Sequence, residues 1–259
     1  MAASRESARM DLRRSGPPLA AIDLCDAILS LAAGHNHAYG GASSFAGLAE
    51  RHNAWIIEDD YDGEYRFRGR PIPALRGLPH SNRVIYVGTF GKTVFPTLRL
   101  GFLVVPPELS TPFNRAMSVT GQFAPASLQV TVADFIEHGH FAHHLRRMRR
   151  LYARRQEYFV ELCQKYLRRW LSVREIDSGI QLLGQFAMRM NDVEVASLAF
   201  HKGVDVQPVS INYYSDRPQH GLLLGYAALD EAETLKAVIT LRATFEEIER
   251  ASTDDKVAP

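Results

Sequence analysis

Three short runs of uninterrupted apolar residues occur in the first half of this chain. They are Ala54-Trp55-Ile56-Ile57, Val84-Ile85-Tyr86-Val87 and Leu100-Gly101-Phe102-Leu103-Val104-Val105. A strand with one wet face alternates apolar and polar residues, so a run without alternation has both faces covered. Such strands fit a parallel sheet layered between helices. Phe45, Leu48 and Ala49 form a helical stripe before the first run, and Pro106-Pro107 closes the third, because proline cannot donate to a ladder. This part of the chain reads as an α/β domain with a mostly parallel sheet.

The rest follows from periodicity. Over residues 134–166, Phe141, Leu145, Met148, Tyr152, Phe159, Leu162 and Tyr166 recur at three- and four-residue steps, which predicts one long helix with a single apolar face. Arg146, Arg147, Arg149, Arg150, Arg154 and Arg155 fill its other faces, as on a solvated or subunit-facing helix. Strands are predicted at 180–188, 204–208 and 222–227. Helices are predicted at 192–202, closed by Gly203, and at 230–248. Ahead of all this, residues 19–33 carry Asp23 and Asp26 in an apolar stretch and read as an amphipathic helix, followed by a Gly/Ser turn at 40–44. The expected order is an unassigned segment (1–44), a large-domain portion (45–133), a connecting helix (134–170) and a small α+β domain (171–259).

Charge narrows the partners. Thirty lysines and arginines stand against 29 aspartates and glutamates, so no global field favours nucleic acid or membrane. No run approaches the roughly 18 apolar residues of a membrane span. Cys25 and Cys163 lie far apart in apolar contexts and imply no disulfide framework, so a cytoplasmic setting is expected. His140 and His144 are four apart on a helix, a spacing that can hold zinc. No carboxylate or cysteine set completes them, and a partly exposed helix start is the better reading.

The polar residues that follow the first two strands carry the chemistry. Asp59 and Tyr61 lie two apart in Glu58-Asp59-Asp60-Tyr61-Asp62, so on extended chain they point to one side while Asp60 points to the other. Open α/β sheets bind ligands at the carboxyl ends of their strands. A carboxylate there can keep a pyridine nitrogen protonated, and a phenol can hydrogen-bond the oxygen beside an aldehyde. Lys92 follows Gly88-Thr89-Phe90-Gly91 and is the candidate for a Schiff base with that aldehyde. Thr89 and Arg99, three residues before it and seven after, are the candidate phosphate contacts.

Together, the segments 58–67, 83–92 and 95–102 resemble the aminotransferase-like domain of MocR-type regulators in the GntR family. That domain is similar to class I/II aminotransferases of fold type I. The resemblance runs on through His138-Gly139-His140 and residues 146–152 to residues 221–226. It covers roughly residues 45 to 248. It implies pyridoxal 5'-phosphate as cofactor, with Lys92 carrying the aldimine and Asp59 at the pyridine nitrogen. Tyr61 would contact the ring oxygen, and Thr89 and Arg99 the phosphate. It also implies a homodimer acting on a small amine or amino acid by transamination-type chemistry. The alternatives are a non-catalytic amine-sensing effector domain and an inactive remnant.

The pattern has departures. The family's winged helix-turn-helix and several earlier large-domain strands are not recognisable, so the chain reads as a truncated relative or a fragment, without direct nucleic-acid binding. An exposed sheet edge is expected with it. Gly91 stands where a serine is usual. Thr97 stands where glycine is frequent, so a positive φ there would carry strain. Leu223 matches the position of a substrate-clamping arginine.

Overall fold

The computed structural model describes residues 22–23, 46–69, 71–79, 81–213 and 218–254. The expected Gly/Ser turn at 40–44, Phe45, Cys25 and most of the expected helix 19–33 lie outside the described residues. Within the span of that helix, Ile22–Asp23 form a strand instead (β1), paired parallel with Ile56 and Ile57. A neighbouring strand offers these two residues a ladder, and it overrides the local helical pattern.

β1 opens a four-stranded sheet of order β1-β2-β3-β4, with β2 at Ile56–Asp60, β3 at Val84–Thr89 and β4 at Gly101–Val104. β1, β2 and β3 are parallel. β4 runs antiparallel to β3. A parallel return needs a crossover of about a dozen residues or more, usually through a helix. Residues 90–100 hold only a turn and the 3-10 helix Pro96–Leu98, so the chain doubles back. β4 also corrects the expectation of burial: Gly101, Phe102, Leu103 and Val104 are all exposed on the sheet edge.

Beneath β2 and β3, Ile56 and Val84 pack with Ala49, Leu75 and Leu78. Each large apolar side chain here contributes about 1.5–3 kcal/mol of burial. Leu98, Leu100 and Val132 form a second cluster with Phe90, Val94 and Leu128. Helix α1 (Pro107–Thr120) starts with proline where no N–H is needed and ends at Gly121, φ 64°. It buries no side chain.

The single helix expected over 134–166 is two. α2 spans Ala126–Glu137 and α3 spans His140–Tyr166. Between them Gly139 adopts φ 76°, a left-handed conformation that ends one helix and redirects the chain. The apolar stripe survives in α3, where Leu145, Phe159 and Leu162 are buried.

The chain divides into two units, Met1–Arg146 and Arg147–Pro259. The second holds an antiparallel sheet of order β5-β6-β8-β7, with β5 at Leu171–Val173, β6 at Gln181–Phe186, β7 at Gln207–Pro208 and β8 at Gly221–Gly225. α4 (Asp192–His201) is capped by Asn191, whose side chain accepts from the Val193 and Glu194 amides. α5 (Glu231–Asp254) packs against α4. Among the described residues no helix is long and apolar enough to cross a membrane.

Candidate functional site at the ends of β2 and β3

The parallel register sets Asp59 beside Val87 and Asp60 beside Gly88. Pleating then sends Asp59, Val87 and Thr89 to one face of the sheet, and Glu58, Asp60 and Tyr86 to the other. Contacts on the second face agree. The Tyr86 hydroxyl donates to Asp60 Oδ2 at 3.0 Å. The Phe102 ring lies over Gly88, where an added Cβ would come within 2.4 Å of Cζ. Asp60 also accepts from the Gly63 amide at 2.9 Å. Asp60 is therefore a latch for the turn after β2, while Asp59 shares its face with Thr89. Tyr61 follows β2 in a bend and is half-buried, as are Asp59 and Thr89.

On the Tyr86 face, Glu58 is buried and accepts from the Leu75 and Arg76 amides at 2.7 and 3.1 Å. Burial pushes its carboxyl above the usual carboxylate range, with the nearby Asp60 charge adding to the shift and the two amides opposing it. Burial also pushes the Tyr86 phenol upward, reinforced by Asp60.

The loop after β3 is fixed by its main chain. Gly91 N donates to Thr89 Oγ1 at 3.0 Å, and Phe90 N donates to the Leu100 carbonyl at 2.9 Å. The buried Tyr65 hydroxyl is shared between the Lys92 and Thr93 carbonyls at 3.0 and 3.1 Å. A ring nitrogen of His144 lies 2.9 Å from the Thr93 carbonyl. The Lys92 side chain itself is exposed, so an anchored backbone presents a solvent-accessible amine. Arg99, also exposed, takes φ 50° and ψ 33° where the chain enters β4. The positive φ therefore falls at Arg99 and not at Thr97, which sits inside the 3-10 turn.

Tyr65 and His144 were missed by sequence reasoning as parts of this loop. Tyr65 belongs to the Glu64-Tyr65-Arg66-Phe67 stretch and carries no periodic signal, and His144 reads as a helix-start residue. Their partners lie 27 to 51 residues away, and no local pattern reports such a contact.

A mostly parallel sheet with an antiparallel return strand and a separate antiparallel sheet form an α/β fold like that of fold type I aminotransferases. The α-aminoadipate aminotransferase LysN of Thermus thermophilus, solved with N-(5'-phosphopyridoxyl)-L-leucine, superposes with a TM-score of 0.74 at 20% identity, covering 82% of this chain and 55% of that one.

No family model matches the chain. Over 198 residues, 76% of the chain, it is 50% identical to the probable rhizopine catabolism regulatory protein MocR of Rhizobium meliloti. Over 193 residues, 74% of the chain, it is 37% identical to the uncharacterized HTH-type transcriptional regulator YhdI of Bacillus subtilis. The chain is a homologue of MocR/GntR-family regulators over this stretch. It spans about 40% of the length of these curated relatives.

Proposed function

We propose that the chain is a pyridoxal-phosphate-binding, aminotransferase-like domain in which Lys92 holds the cofactor's aldehyde carbon. The observation that carries the reading is the β2/β3 register. It sets Asp59 and Thr89 on one sheet face, with the Tyr65-anchored Lys92 three residues beyond. The donor set fits the group: an acid for a ring nitrogen, a phenol for a ring oxygen, a hydroxyl and a guanidinium for a phosphate, and an amine for an aldehyde. When bound, the cofactor supplies an electron sink for charge developing at a substrate α-carbon.

The side chains divide the work. Asp59 holds the proton on the pyridine nitrogen, and Tyr61 hydrogen-bonds the ring oxygen. Thr89 Oγ1 already accepts from Gly91 N, so its own O–H is the donor it offers to phosphate. Arg99 adds paired charge-assisted donors. Once an incoming amine or amino acid displaces it from the aldehyde carbon, the freed Lys92 Nζ would move the proton at the substrate α-carbon. The unit acts as a homodimer, which the mass of the purified protein in solution tests.

A second reading is an effector domain that captures cofactor and amine without turnover. Two observations favour it. Both curated relatives carry names of regulatory proteins, and an aliphatic side chain, Leu223, occupies the middle of β8 where the resemblance implies a carboxylate-clamping arginine. Incubation with pyridoxal phosphate followed by borohydride reduction, with the label located by mass spectrometry, tests both. A visible-absorbing, reducible adduct on Lys92 that is lost in Lys92→Ala supports cofactor binding, and its absence from the wild-type protein overturns it. Amine-dependent conversion of a keto acid then supports the enzyme. An adduct without conversion supports the effector.

A further inference from the structure

Away from this site, the second unit contains a cleft of about 610 Å³ at the end of α3, lined by Lys165, Arg168, Arg169, Arg242 and Arg250. The cleft also contains two carboxylates, and both are occupied. Glu246 accepts from Arg242 Nε at 2.7 Å, and Glu249 accepts from Arg169 Nη2 and from the Trp170 indole at 3.2 Å. Each acid therefore neutralises one arginine. Lys165, Arg168 and Arg250 form no ion pair with a carboxylate among the described residues; Lys165 Nζ lies 5.1 Å from the Tyr166 ring centroid, and Arg250 contributes to the field at Glu247. Arg250 donates from Nε to the Glu246 carbonyl at 3.1 Å, which fixes its stem and leaves its terminal nitrogens as donors.

The spacing makes the charge convergent. Residues 242, 246, 249 and 250 of α5 recur at helical steps and share one face. Trp170 is buried and stacks on Phe245 at 5.7 Å and 8°. Trp170 lines the cleft between them, and Lys165, Arg168, Arg169, Arg242 and Arg250 are all exposed. The field is local. Residues 147–259 carry 16 lysines and arginines against 16 aspartates and glutamates, so the unit as a whole has no net positive field.

We propose that this cleft binds a compact polyanion carrying two or more phosphate groups, with Arg168 and Arg250 as paired donors and Lys165 as a point charge. Guanidinium groups suit phosphate oxygens through parallel hydrogen bonds. The proposal does not depend on the reading of Lys92, because no residue is shared between the two sites.

The test is calorimetric titration of the full chain with inorganic pyrophosphate at physiological ionic strength. The comparison proteins are Arg168→Ala/Arg250→Ala, whose changes are at exposed positions, and Arg99→Ala, which removes the charged phosphate candidate of the first site. Binding that weakens at least about tenfold (about 1.4 kcal/mol) in the double variant and persists in Arg99→Ala supports the cleft. Retained affinity in the double variant overturns the proposal, as does binding lost only in Arg99→Ala. Two further results overturn it: no pyrophosphate binding to the wild-type chain, and binding of duplex DNA that pyrophosphate fails to compete. Unchanged circular dichroism and unchanged ligand-free melting of the double variant separate loss of the site from loss of the fold.

Discussion

Tyr65 reaches the Lys92 and Thr93 carbonyls across 27 and 28 residues of sequence, so its hydroxyl acts on the loop and not on the amine. Tyr65→Phe leaves the Lys92 carbonyl short of a donor, while His144 stays at the Thr93 carbonyl, and is expected to cost about 1–2 kcal/mol in urea unfolding. It should also slow formation of the reducible Lys92 adduct without abolishing it. Lys92→Ala, by contrast, should abolish the adduct and leave stability nearly unchanged, since that side chain is exposed. Arg99 separates fold from function in another way. Its left-handed φ of 50° carries strain that glycine relieves, offset by glycine's greater freedom in the unfolded chain. Arg99→Gly should shift stability by less than about 1 kcal/mol while weakening cofactor retention, read by melting and by equilibrium dialysis. Asp59, Tyr61, Thr89, Lys92 and Arg99 could be named as candidates because strand ends and residue chemistry are local. The scaffold behind Lys92 was not, because Tyr65 and His144 arrive from elsewhere in the chain.

At the scale of elements, the β3/β4 pairing depends on Gly88. Phe102 lies over it and contacts Tyr86 and Phe90, with ring centroids 5.9 and 5.3 Å apart. Gly88→Ala drives a methyl into that ring and is expected to destabilise by about 1–3 kcal/mol. Phe102→Ala in the same chain should recover part of the loss, so a double-mutant cycle with non-additive unfolding energies checks the contact. The periodic pattern located most strands within a few residues, including β3 at Val84–Thr89 and β8 at Gly221–Gly225. It also located α4, which ends at His201 ahead of Gly203. It misjudged burial for β4, left its direction open, and fused the end of α2 with α3. An apolar run looks the same whether its strand returns parallel or antiparallel. The glycine that breaks the helix shows its left-handed φ only once the chain is folded.

For the molecule as a whole, Asp192 ties the second unit together. Fully buried, it accepts from Ser210 N at 2.8 Å, Ser210 Oγ at 2.7 Å and Gly221 N at 3.3 Å, and it pairs with His220 Nδ1 at 2.9 Å. It thereby joins α4 to β8 and the turn before it. Burial alone would raise its carboxyl, but the bonds from Ser210, His220 and Gly221 outweigh burial and hold it below the ordinary 3.8. A depressed carboxyl stabilises the fold fully above its unfolded value and loses that contribution as pH falls through the folded one. Acid unfolding of the second unit should therefore steepen below about pH 3.8, and Asp192→Asn should flatten that limb while lowering stability at neutral pH; fluorescence of Trp170 against pH checks both. None of this network was visible in the sequence, where Asp192 reads only as a helix start. The sequence by itself determined the strand runs, the helical stripes and the chemical groups at the strand ends, because these depend on residues within a few positions of one another. Which groups share a sheet face, which carbonyls hold the lysine loop and which cations converge on a cleft were decided only by the tertiary structure. Those relations join residues tens of positions apart, and only the folded register brings them within hydrogen-bonding distance.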